Sequence, residues 1–155
     1  MKVGFWLIVL WSIGVATTQG QQIGAPNSAS AAEVISSGMT FIVQGTTPER
    51  ERLLRAQIAT MQPAVLPHRI LFVPHWQYAY ATKMFHLHVP TGMSSKMFTH
   101  LPSASVFVDN DFYGGDEWLG HWIAHELGHL ELNNADENQA ERAAAVYRSR
   151  LKHNH

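Results

Sequence analysis

The chain has 155 residues, a formal net charge of −1, 46% hydrophobic residues, 10 histidines and no cysteine. That length suits one domain. The near-neutral charge, with no basic cluster, gives no push toward nucleic acid or anionic membranes. The lack of cysteine excludes a disulfide framework, thiol chemistry, cysteine-type zinc sites and a bacterial lipobox anchor.

Met1-Lys2 is a short positive start, Phe5 to Ala16 is apolar, and small and polar residues follow. This pattern predicts a secretory signal peptide over residues 1–20. The stretch falls short of the ~20 apolar residues of a transmembrane helix. The cleavage site is not a clean A-x-A, so an uncleaved N-terminal anchor is the other reading. The protein is therefore expected outside the cytoplasm, secreted or periplasmic, and touching a membrane only through that segment. Residues 21–36, rich in Gln, Gly, Pro, Ser, Ala and Asn, predict a flexible linker, and residues 37–155 the folded domain.

Within that domain Thr40–Val43 reads as a short strand. Thr46-Thr47-Pro48-Glu49 opens a helix with Pro in its first turn. Leu54, Ile58 and Met61 give that helix a core face, and Pro63 stops it. Ile70–Val73 reads as a buried strand stopped by Pro74. Met84–Val89 alternates, with Phe85, Leu87 and Val89 on one side and His86 and His88 on the other. That predicts a half-exposed strand. The preceding aromatics Trp76, Tyr78 and Tyr80, with Phe85, are expected in the core. Ser105–Val108 is the fourth predicted strand. Gly114-Gly115-Asp116 reads as a turn and cap before a helix starting near Glu117. Asn133-Asn134 ends that helix, and Asp136 caps a last one, Glu137–Lys152. The fold class is α+β: a small mixed sheet packed on one helix, followed by a glutamate-bearing C-terminal helix.

The residues that carry chemistry are His125-Glu126-Leu127-Gly128-His129, an H-E-x-x-H pattern. Residues four apart share a helix face, so both imidazoles can reach one metal ion. Glu126 sits where a general base for an activated water is needed. A catalytic zinc takes three protein ligands and keeps one position open. The next carboxylates along the chain are Glu137, in the first turn of the following helix, and Glu141, one turn on. Glu137 is the expected third ligand, and Glu141 the group that accepts a hydrogen bond from a ligand histidine and fixes its tautomer. The reverse assignment stays open, and Asp136 looks like a cap. Gly128 costs about 1 kcal/mol against Ala in a helix interior, which predicts a close backbone approach there. His121 could lie above the site. Tyr113 and Tyr147 could polarise a carbonyl, although packing is their default role.

His125-Glu126-Leu127-Gly128-His129 followed by Glu137-Asn138-Gln139-Ala140-Glu141 resembles the gluzincin branch of zinc metallopeptidases. The resemblance covers residues 117–148 and is strongest to the minimal gluzincins. It is looser to ImmA/IrrE-type peptidases with their HELGH motif. The chain departs from the branch in having Glu141 where Asp or Asn is usual, and in its short gap between His129 and Glu137. The resemblance implies a zincin-like fold and Zn2+ held by His125, His129 and Glu137. It also implies hydrolysis of peptide or protein substrates through a zinc-activated water, with Glu126 as base. Substrate would pair as an extended strand with a sheet edge, supplied by Phe85–Val89 or Ser105–Val108. Two other functions fit the motif: a non-catalytic zinc-stabilised binding domain of the envelope or exterior, and an amidase or other hydrolase using the same chemistry. If the site is a zinc site, three donor atoms should converge to about 3–4 Å of one another.

Overall fold

The computed structural model of the protein describes residues 40–86 and 96–153. The expected signal segment and the whole of the expected linker lie outside these residues. Among the described residues no helix is long and apolar enough to cross a membrane.

The architecture is mixed α+β, with a four-stranded sheet and four helices. In chain order these are β1 (Ile42–Gln44), α1 (Pro48–Met61), β2 (Arg69–Val73), α2 (His75–Met84), β3 (Met97–His100), β4 (Ser105–Asp109), α3 (Asp116–Leu132) and α4 (Glu137–Lys152). The sheet order is β1-β2-β4-β3. β1, β2 and β4 run parallel, and β3 closes one edge antiparallel to β4.

Alternation along the strands sorts side chains between two faces. Ile70 and Phe72 of β2 pair in register with Val106 and Val108 of β4. All four are buried, in one core with Leu54 and Ile58 of α1 and Ile123 and Leu127 of α3. On the opposite face Phe107 of β4 stacks on Phe98 of β3, with ring centroids 4.7 Å apart. Tyr78 and Phe85, from α2 and its end, pack on Phe98 at 5.2 and 6.3 Å. The sheet thus lies between α2 on one side and α1 and α3 on the other.

α1 starts where expected. Thr47 is the N-cap and accepts from Arg50 N at 3.3 Å, and Pro48 follows as the first helical residue. Its expected core residues Leu54, Ile58 and Met61 are fully buried. The helix stops one residue before Pro63, with Gln62 in the left-handed region.

The region between β2 and β4 departs from the sequence expectation. Over Met84–His86, where the expected strand begins, α2 instead runs through Met84, and Phe85 and His86 form a turn in which His86 has φ 51°. Leu87 to Val89 lie outside the described residues. Gln77 to Met84 contains one β-branched residue and two alanines, a run that favours helix. The helix also buries Tyr78 against the sheet, which outweighs a three-residue alternation. Pro74 offers no side-chain cap, and Asp111 supplies one from the next layer by accepting from His75 N at 2.9 Å. Of the four aromatics expected in the core, only Tyr78 is buried, while Trp76 and Tyr80 are 68% and 63% exposed. The missing strand is β3, Met97–His100. It forms the sheet edge, and Ser105–Val108 lies in the interior.

α3 and α4 form a helical hairpin. Asn133 ends α3 in the left-handed region at φ 45°. Asp136 caps α4 by accepting from Gln139 N at 3.0 Å. The helices meet through small residues, with Gly128 on α3 facing Ala140 on α4. A Cβ at Gly128 would stand 2.6 Å from the Ala140 carbonyl oxygen. The expected close approach is therefore present. Gly128→Ala gains about 1 kcal/mol of helix propensity. It also forces two backbones apart, an overpacking cost of about 1–3 kcal/mol. Because the obstacle is backbone, the net change is destabilising, and thermal unfolding followed by circular dichroism should show a lower Tm than wild type.

Candidate metal centre

The left-handed turn at Asn133 determines where the next carboxylates lie. It reverses the chain within four residues, so the first turn of α4 returns to the face of α3 that carries His125 and His129. His125 Nε2 is 3.2 Å from His129 Nε2. Glu137 Oε2 is 2.8 Å from the former and 3.6 Å from the latter. Donors about 2.0–2.1 Å from a tetrahedral zinc stand roughly 3.3 Å apart. His125, His129 and Glu137 could hold a metal ion on this spacing.

The rear nitrogens of both rings are engaged. His129 Nδ1 lies 2.8 Å from the Asn134 carbonyl oxygen, which can only accept, so the proton sits on Nδ1 and Nε2 keeps its lone pair. His125 Nδ1 lies 3.1 Å from Glu141 Oε2, with the same consequence. Two imidazole lone pairs and a carboxylate oxygen then point at one another. With both rings neutral that donor set fits a divalent metal. Glu141 addresses the back of the His125 ring and Glu137 its front. Glu137 is not among the cap contacts of α4, which fall to Asp136.

The histidines are on the buried side of the centre, His125 at 8% and His129 at 7% exposure. The Glu137 and Glu141 side chains are more than half exposed. The cluster therefore joins two buried imidazoles to a solvent-exposed carboxylate.

Glu126 has a different environment from the other carboxylates. It is 3% exposed, and its Oε2 accepts from Thr99 Oγ1 of β3 at 2.7 Å. Burial pushes its carboxyl up to about 7, opposed by the Thr99 hydroxyl and the neighbouring His129 and assisted by the charge of Glu137. Glu141 moves the other way. Arg148 donates to both its oxygens, at 2.8 and 2.6 Å, and holds its carboxyl down at about 2.

Other sequence candidates are placed elsewhere. The Tyr113 hydroxyl donates to Asp116 Oδ1 at 2.7 Å, beneath the Arg50 guanidinium. The Tyr147 hydroxyl donates to Glu131. His121 is exposed, its ring edge-on to Trp122. His86 lies in the exposed turn after α2 and is not part of the cluster. The structure adds three partners that the sequence reading did not name: Thr99, Arg148 and the Asn134 carbonyl. Only Arg148 had a sequence signal, since it follows Glu141 by seven residues and so shares its helix face.

No family model, curated protein or solved structure matches the chain.

Separate variants should resolve the roles of the acidic residues. Glu137→Ala should lower zinc affinity, measured by competition with a chromophoric chelator, by more than the roughly 10–100-fold typical of losing an outer partner. Asp136→Ala should leave zinc affinity unchanged and cost about 1 kcal/mol of stability through the lost cap.

Proposed function

We propose that this protein is a zinc-dependent peptidase with a minimal gluzincin-like, zincin-type site. The convergence of His125 Nε2, His129 Nε2 and Glu137 Oε2 beside the buried carboxyl of Glu126 carries the reading. His125, His129 and Glu137 would hold the metal. Zinc bound there supplies Lewis acidity, which acidifies water and polarises a carbonyl.

Proton handling belongs to the chain's own residues. Thr99 steadies the Glu126 carboxylate, which would receive the proton of the attacking water and return it to the leaving amine. Burial raises the proton affinity of this carboxyl, which suits it to take up a proton and pass it on. The substrate is a peptide in extended form. β3 is a sheet edge, runs antiparallel to its neighbour, and touches the base through Thr99. An added strand there would lie beside the residues that act on it.

The burial of Glu126 favours one other reading, in which the carboxylate is structural and zinc only stabilises an exported binding domain. Two results separate them. On the catalytic reading, purified protein carries one zinc and cleaves an unfolded protein substrate. Glu126→Gln then keeps the zinc and loses about 10²–10⁴-fold in cleavage rate. A protein that unfolds on chelation, with no cleavage before chelation and none lost in Glu126→Gln, would establish the structural role instead.

A further inference from the structure

We propose that Arg148 is a positioning residue for the metal centre, acting through Glu141 on His125. The inference rests on the zinc reading above. Glu141 is on the exposed face of α4, and its side chain is 54% exposed. A glutamate so placed samples several rotamers, and ordering it costs entropy. Arg148, two turns on along the same face, removes that freedom. Its Nη1 donates to Glu141 Oε1 at 2.8 Å and its Nη2 to Oε2 at 2.6 Å, so both oxygens are held by a rigid fork. The Arg148 side chain is itself only 19% exposed, which anchors the fork against the hairpin.

Glu141 Oε2 is also the oxygen facing His125 Nδ1 at 3.1 Å. The chain of contacts runs from guanidinium to carboxylate to imidazole. At its far end it turns the His125 Nε2 lone pair toward Glu137 and His129. An ordinary surface ion pair contributes little. This one differs because its carboxylate has a second, directional task. A lysine at 148 would supply charge without the fork.

The test is a double-mutant cycle read by zinc affinity. Wild type, Arg148→Gln, Glu141→Gln and the double variant are titrated with zinc against a chromophoric chelator, and helix content is followed by circular dichroism. Each single substitution is expected to weaken zinc binding about 10–100-fold. The double variant is expected to bind no more weakly than Glu141→Gln alone, because Arg148 acts only through that carboxylate. Arg148→Lys is expected to fall between wild type and Arg148→Gln, and it provides the decisive comparison should Arg148→Gln fail to fold. Wild-type affinity in Arg148→Gln or Arg148→Lys, or full additivity in the double variant, overturns the inference while leaving the zinc site standing. Absence of zinc binding by the wild type overturns the zinc reading itself, and this inference with it.

Discussion

The contact between Gly128 and Ala140 is the constraint on which the rest of the site depends. Two helices joined by four residues can present a histidine pair and a glutamate to one point only if their backbones nearly touch there. A side chain at position 128 would occupy the space of the Ala140 carbonyl. The same proximity lets the first residue of α4 reach the Nε2 atoms and its fifth reach the opposite side of the His125 ring. Hydrophobic burial along α3 supplies the driving force, and the small residues set the distance.

Around that contact the protein keeps two carboxylates in opposite environments. Glu126 is buried, with a hydroxyl as its neutral partner, and its proton affinity rises. Glu141 is on the surface, bound by an arginine, and remains a carboxylate far below neutrality. Environments that push paired titratable groups apart are how one scaffold separates proton transfer from charge-fixed orientation. The separation follows from which side of α3 each carboxylate faces.

What could be read from the sequence was local. The H-E-x-x-H spacing, the break at Asn133-Asn134, the Asp136 cap and the core face Leu54, Ile58 and Met61 all depend on residues within two helical turns of each other. Gly128 was informative for the same reason: a costly residue inside a helix requires a neighbour nearby. The middle of the chain was not legible. There, a three-residue alternation around Phe85 competed with a helix whose only deeply buried aromatic is Tyr78, and which side wins depends on a sheet built from distant segments. β3 could not be recognised as an edge before its pairing with β4 was known. Thr99 lacked any local signal, because its partner lies 27 residues away in sequence and across a layer boundary.

That last separation divides the site by folding unit. The three candidate ligands and both rear-nitrogen partners fall between positions 125 and 141, within one hairpin. The hydroxyl that steadies Glu126 arrives on β3, an edge strand of the sheet paired on one side only. Fraying of β3 would therefore reach Glu126 while the cluster of His125, His129 and Glu137 stayed assembled. In this layout, the spacing of the His125, His129 and Glu137 donors and the setting of Glu126 report on the integrity of different parts of the molecule.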